Sequence, residues 1–187
     1  MSLAPFDKHV ALILVDLQNA LQYFPLIHPL SEVVARAADV AAAFRAAEQP
    51  VVLVNVEGGA PGRVAEPLDM HSLPDGWTDI VSELAGNPRD IRITKTRWGA
   101  FGSTNLNQLL VERGCTQVVI AGAATSIGVE STARQAHELG FNVTVITDIL
   151  TDVSTQTHTN SITSIFPKLA EVATADEIIA ELEARRE

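Results

Sequence analysis

The chain is expected to form an α/β protein, a three-layer α/β/α arrangement around a mostly parallel, doubly wound sheet. Three observations predict it. Apolar runs of strand length are continuous instead of alternating and are rich in Val and Ile, the pattern of parallel strands buried on both faces. Segments of helical period separate these runs. Small residues punctuate the boundaries, with Gly114 and Gly140 where helices should end.

Taken in order, strands are expected at 10–15, 51–56, 91–94, 118–121 and 143–146, and a short last one at 171–173. Helices are expected at 31–47, 77–84, 103–113, 126–139 and 175–186. Ser31, Ser103 and Thr174 stand where N-caps belong. The least regular stretch is 57–75, which opens on Gly58-Gly59-Ala60-Pro61-Gly62. A loop of that length is expected to cover the site or a subunit contact.

The 187 residues fit one domain, 1–187, large enough for a core without disulfides or structural metal. Hydrophobic residues make up 47% and charged residues 19%, a globular balance. No apolar run reaches membrane-spanning length and no secretory signal opens the chain, so a soluble, cytoplasmic protein is expected. The single Cys115 allows no internal disulfide and reads as a small core or turn residue. A net charge of -10 argues against nucleic-acid backbones as partners. It also means that an anionic ligand would need a local cationic pocket.

In open parallel sheets, ligands bind beyond the carboxyl ends of the strands. Asp16, Asn55, Lys95 and the turn from Gly122 to Gly128 all fall there. Asp148 also ends an expected strand, and helix capping accounts for it. Asp16 fits two roles: a turn or capping acid, or a partly desolvated general acid or base with a raised pKa. Lys95 alone reads as a solvated lysine; beside Asp16 it would hold the carboxylate ionised and stabilise negative charge on a ligand. The 122–128 turn reads equally as an ordinary tight βα turn or as backbone N–H groups shaped for an anion. It matches neither G-x-G-x-x-G nor G-x-x-x-x-G-K-[ST], so no nucleotide-phosphate motif is present. Gly128, in the first helical turn, costs up to about 1 kcal/mol relative to Ala. Room for a ligand explains that cost, and so does tolerance near a helix end.

Three motifs in order carry a resemblance. They are Val15-Asp16-Leu17-Gln18, then Lys95 with Ala100-Phe101, then Ala121-Gly122-x-Ala124-Thr125-x-x-Gly128-Val129-x-x-Thr132-Ala133-Arg134-x-Ala136. Leu139-Gly140-Phe141-x-Val143 and Thr147-Asp148 continue it. From about His9 to the last helix, the chain resembles the isochorismatase-like, or cysteine hydrolase, superfamily. The resemblance implies that Asp16 and Lys95 are catalytic and that Gly128 stands where a nucleophilic Cys normally does. It also implies a non-prolyl cis bond between Ala123 and Ala124, turning the Ala124 N–H toward an oxyanion. Gly at 128 removes thiolate chemistry, and true isochorismatases likewise carry Gly there. The route so implied has Asp16 protonate a vinyl ether carbon and water add to the oxocarbenium ion, without a covalent nucleophile. The ligand side of the site is expected to include Gln18, Asn55, Trp98, Phe101, Ala124 and Thr125, with the N–H groups of Ala124 and Gly128 as anion donors.

For a dicarboxylate such as isochorismate, Arg63 and Arg97 are the candidate cationic partners, against solvated roles for each. Trp98 and Phe101 fit a pocket wall or the core. His9, His28, His71, His137 and His158 are scattered singly and read as surface or packing residues, so no metal or other cofactor is expected. Ser126 reads as a helix-capping residue more naturally than as a substitute nucleophile. The expected partners are a small-molecule substrate and, by resemblance, further copies of the chain in a dimer or tetramer. The alternatives are a catalytically inactive ligand-binding or interaction member of the family, or an amide (C–N) hydrolase with a non-Cys mechanism.

Overall fold

Buried Val, Ile and Leu runs form the sheet that the sequence predicts. The computed structural model describes residues 3–66 and 72–185. Among these, six strands pair in parallel throughout: β1 (Val10–Val15), β2 (Val51–Val56), β3 (Ile91–Lys95), β4 (Gln117–Ala123), β5 (Asn142–Thr151) and β6 (Glu171–Ala173). Their order is β3-β2-β1-β4-β5-β6. The winding reverses between β1 and β4, so the crevice beyond their carboxyl ends is the switch point where α/β sheets bind ligands.

Helices cover both faces. α1 (Leu30–Ala46) and α5 (Ala175–Ala184) pack with Val10, Leu12, Leu14, Val119 and Ala121. α2 (Leu106–Glu112) and α3 (Glu130–Glu138) pack with Ala11, Ile13, Val15, Val118 and Ile120 on the other face. Alternate residues of β1 and β4 thus serve two cores, which is why neither strand alternates in polarity. The short α4 (Thr155–Asn160) precedes β6. No helix among the described residues is long and apolar enough to cross a membrane.

Several expected boundaries move. The helix expected at 77–84 is a series of turns, in which Ile80 forms an isolated antiparallel bridge to Gln18. Pro74, Gly76, Gly86 and Pro88 crowd that segment, while Val81 and Leu84 still bury their apolar side chains. Ser31 is not an N-cap, because α1 begins at Leu30 behind Pro29. Ser103 is not one either: α2 begins at Leu106, with Thr104 Oγ1 accepting from the Leu106 N–H, and Ser103 Oγ accepts from the Thr96 N–H. The segment 126–139 divides into a π-turn, Thr125–Val129, followed by α3.

The fifth strand runs to Thr151, so Asp148 lies within it. A register shift against β4 between Ile120 and Gly122 breaks the alternation, so that Ile149 joins Ile146 in one core and Leu150 joins Val145 in the other. Asp148 does cap, but at α5, where Oδ1 accepts from the Ala175 N–H. Thr174 and Glu177 form the reciprocal capping box at the same helix. Gly114 and Gly140 end their helices with φ of 68° and 88°. Cys115 is buried in the core with its thiol pKa raised by desolvation, as suits a packing residue.

Candidate active site

Beyond Val15 the chain leaves β1 through Asp16 at φ 53°, a left-handed conformation that Asp tolerates better than most side chains. The Asp16 N–H still bonds to Val54 O at 2.8 Å, and its carbonyl accepts from the Gln18 N–H at 2.8 Å. The turn aims the carboxylate into the crevice between β1 and β4. Lys95 ends β3, two strand spacings of about 4.8 Å from β1, and its long stem crosses the end of β2. Its Nζ donates to Asp16 Oδ2 at 2.7 Å and to Arg97 O at 3.1 Å, and the side chain is 1% exposed.

Asp16 Oδ1 is buried and has no hydrogen-bond partner. Burial outweighs the attraction of Lys95 and lifts the Asp16 pKa from 3.8 to about 6. Lys95 does draw this carboxylate toward its ionised form, as expected, while burial draws it the other way. Lys95 opposes the shift without overcoming the desolvation.

The turn after β4 closes the crevice. A side chain at Gly122 (φ 122°) would run into Val15, with its Cβ 2.1 Å from Val15 O; only glycine lets β1 and β4 approach there. The Ala123–Ala124 peptide is cis, as the family resemblance implies. The Ala124 carbonyl accepts from the N–H groups of Ile127 and Val129. A Cβ on Gly128 would lie 2.9 Å from Asp16 Oδ2, 3.1 Å from Ala123 O and 3.1 Å from a Val15 methyl. The Asp16 carboxylate therefore stands against the Gly128 backbone, in the space a first side-chain atom would occupy.

A residue outside the expected site, Asp152, helps to fix this turn. Asp152 is buried at the true end of β5, where its two oxygens accept from the N–H groups of Ser126 and Val153. Thr125 Oγ1 donates to Thr151 O at 3.0 Å and lies 2.8 Å from His158 Nδ1. With the hydroxyl hydrogen on Thr151, Nδ1 is the donor in the second bond. Desolvation lowers the His158 pKa. His28 meets His158 edge-on at 5.1 Å, so both histidines pack as expected. Thr132 Oγ1 donates to Gly128 O at 2.7 Å and accepts from the Ala100 N–H at 3.1 Å, tying the two later motifs together. Reading β5 as far as the apolar Ile149-Leu150 would have exposed Asp152 as a strand-end acid.

A cavity of about 100 Å³ opens beside Asp16. Gln18 and Ala124 also reach it, and Ala20, Leu21, Phe24, Val56, Leu73 and Trp77 make its apolar wall. The backbone of 76–81 forms this wall by running back along 17–20: the N–H groups of Asn19 and Ala20 bond to Asp79 O and Trp77 O, and that of Val81 to Leu17 O.

Several residues expected on the ligand side do not line this cavity. Trp98 is 61% exposed outside the cavity, Phe101 packs in the core against Phe141, and the tryptophan at the site is Trp77. Asn55 bonds to Thr78 O and Thr94 Oγ1, and Thr125 is buried behind the turn. Arg63 is exposed, and Arg97 meets Lys95 only through its carbonyl; neither lines the cavity. Ser126 bonds through its N–H to Asp152, while His158 faces Thr125. His71 and part of the 57–75 loop lie outside the described residues. Among the described residues no group of three His, Cys, Asp or Glu side chains is placed to hold a metal ion.

A wider groove of about 390 Å³ lies at the opposite, amino ends of β4 to β6, near Asp7, His137, Asn142 and Glu171. Asp7 there is hydrogen-bonded to Thr116 and Asn142. The smaller cavity is the better candidate because it sits at the switch point and holds the unsatisfied acid.

Comparison with known proteins agrees with this geometry. The isochorismatase domain model matches residues 10–177. An uncharacterised isochorismatase family protein of Escherichia coli O157:H7, YecD, is 42% identical over 181 residues, 92% of this chain and 95% of that protein. Ureidoacrylate amidohydrolase RutB of Pseudomonas syringae pv. syringae is 31% identical over 168 residues, 74% of this chain and 69% of that one. A solved isochorismatase family structure from Burkholderia thailandensis has a TM-score of 0.89 at 39% identity, covering 97% of this chain and 98% of the other. Sheet order, strand-end chemistry and sequence similarity thus converge, and the chain belongs to the isochorismatase family of hydrolases.

Proposed function

We propose that this hydrolase cleaves a vinyl ether, isochorismate or a related compound, with Asp16 as general acid and no covalent nucleophile. The observation that carries the reading is the buried Asp16 carboxyl, with Oδ2 on Lys95 and an unpartnered Oδ1 beside a cavity. A pKa of about 6 leaves a useful protonated fraction near neutral pH, where an ordinary Asp would have almost none. Proton transfer to the terminal vinyl carbon gives an oxocarbenium ion, water adds to it, and the adduct collapses to a carbonyl and an alcohol. Lys95 stabilises the carboxylate that remains, and the Ala124 and Gly128 N–H groups serve as donors to ligand oxygens. Two points support the non-covalent route: the resemblance in sequence gives position 128 to the family's nucleophile, where Gly has no side chain to react, and the Asp16 carboxylate fills the space beside it.

The test is turnover of a vinyl ether by wild type and Asp16→Asn, over a range of pH. We expect a loss of about 10²–10⁴-fold in the variant. The wild-type rate should decline as pH rises through about 6, because the reactive form is protonated. An unchanged rate in Asp16→Asn sinks the acid role. One comparison favours a second reading, amide hydrolysis without Cys, since a relative is a ureidoacrylate amidohydrolase. It predicts turnover of small amides and, if Ser126 is the nucleophile, an acyl adduct of matching mass on that residue. Assembly into a dimer or tetramer belongs to the same proposal. The exposed apolar side chains of Tyr23, Trp98, Ile127 and Val153, on connections at the carboxyl end of the sheet, support it.

A further inference from the structure

We infer that Thr132 is a positioning residue, whose hydroxyl holds the Lys95 loop and the Gly128 turn in place on either side of Asp16. This deepens the acid role proposed above and rests on it for the effect on turnover. Thr132 is wholly buried and does not line the cavity, so it acts on a ligand only through its neighbours. It stands about one helical turn after Gly128, and its Oγ1 donates to Gly128 O at 2.7 Å. Helical threonines commonly bond to the carbonyl four residues back. The second bond is of another kind, because Oγ1 also accepts from the Ala100 N–H at 3.1 Å, 32 residues away in the chain. An N–H can only donate, so a lone pair faces Ala100 and the hydroxyl hydrogen faces Gly128. One atom thus serves buried backbone groups of two separate motifs.

Both groups belong to the surroundings of Asp16. The Gly128 backbone stands against Asp16 Oδ2. Ala100 lies in the loop that leaves β3 at Lys95, and in that loop Arg97 O accepts from Lys95 Nζ at 3.1 Å. The loop is tied again where Ala100 O accepts from Thr104 Oγ1 and where the Phe101 N–H donates to Gln135 Oε1 at 3.0 Å. Gln135 follows Thr132 by three residues on α3, so one helix face carries both ties to the loop. A side chain on Gly99 would run into the Gln135 amide, which shows how closely loop and helix approach. Removal of the Thr132 hydroxyl strands two buried backbone groups and frees the loop to retreat with Lys95. The attraction of Lys95 then weakens while burial persists, and Asp16 holds its proton more tightly. The other charged groups nearby are turned elsewhere. The 122–128 turn carries none, Glu57 after β2 is exposed, and Asp79 has its carboxylate beside Gly76. Glu130 on α3 is paired with Arg134 and Ser161, and Asp152 is held by two backbone N–H groups.

The experiment compares wild type, Thr132→Val and Thr132→Ser by two readouts. One is the pH profile of kcat/KM for isochorismate. The other needs no substrate: a carbon-13 NMR titration of the Asp16 carboxyl in aspartate-labelled protein, assigned with Asp16→Asn. In Thr132→Val we expect the Asp16 midpoint to rise by about half a pH unit or more. The falling limb of kcat/KM should move to higher pH by the same amount, and kcat should drop about tenfold. Thr132→Ser, which keeps the hydroxyl, should stay close to wild type in both. A Thr132→Val protein that only melts earlier, with its midpoint in place, makes Thr132 a structural residue and overturns the inference. A serine variant displaced as far as the valine assigns the effect to the lost methyl group and overturns it too. Should Thr132→Val fail to fold, Gln135→Met, which removes the tie to the Phe101 N–H, decides instead: a rise in the midpoint supports the inference and none overturns it. If wild type leaves isochorismate untouched while the midpoint moves in Thr132→Val, the functional reading fails and the positioning role stands.

Discussion

Two buried aspartates, each paired with a cation, sit at opposite ends of the sheet and differ in what the pair leaves over. Asp90 precedes β3 at the amino end, and Arg45 at the last turn of α1 grips both of its oxygens through Nε and Nη2. The planar guanidinium matches the carboxylate and satisfies it. Asp16, at the carboxyl end, meets a lysine instead. One ammonium covers Oδ2 and leaves Oδ1 bare in a desolvated place. A forked partner makes a structural tie, whereas a point charge makes an acid with a free face toward a cavity. Asp152 supports the distinction, since it too is buried and both of its oxygens take backbone N–H groups.

The largest expected effect separates the pairs by activity. Asp16→Asn should lower turnover about 10²–10⁴-fold, while Asp90→Asn leaves turnover intact and lowers stability by about 1–3 kcal/mol in urea titrations. Equal losses of activity would erase the contrast. A second test reads stability against pH. Folded Asp16 holds its proton more tightly than the unfolded chain, so its contribution is complete below the ordinary pKa of 3.8 and is lost as pH rises to about 6. The loss is on the order of 3 kcal/mol, so wild type should fall by that much relative to Asp16→Asn across this window and run parallel to it at higher pH.

A smaller effect is expected from Gly128→Ala, whose Cβ would crowd Asp16 Oδ2. We expect a cost of about 1–3 kcal/mol together with reduced turnover, whereas Gly59→Ala, with nothing within 4 Å, should change neither. Thermal unfolding and kinetics on the two variants decide it. The smallest effect should come from Arg45→Lys, which replaces the fork by a point charge; a loss of about 1 kcal/mol with unchanged kcat would confirm that this pair serves only stability.

The fold was legible because its signals are local. Strand limits at Val10–Val15, Val51–Val56 and Glu171–Ala173 coincide with the apolar runs, and Gly114, Gly140 and Thr174 mark helix ends by their own conformational and hydrogen-bonding preferences. The errors arose where a partner overrode a local signal. The 77–84 segment has helical spacing, yet its backbone is spent on Gln18 and Leu17. Ser103 resembles a cap, yet its hydroxyl serves Thr96. The site followed the same rule. Asp16, Lys95 and the 122–128 turn were readable as strand ends, whereas Trp77, Leu21 and Phe24 become a wall only when 76–81 folds back along 17–20.

The sequence by itself determined which chemical groups end the central strands and that the sheet is parallel, because burial on both faces dictates side-chain type residue by residue. It also determined that position 128 offers no side chain to react. Tertiary structure alone decided how acidic Asp16 is and what it faces. That outcome is a contest between desolvation and Lys95 across the end of β2, and neither quantity exists until strands distant in the chain lie side by side.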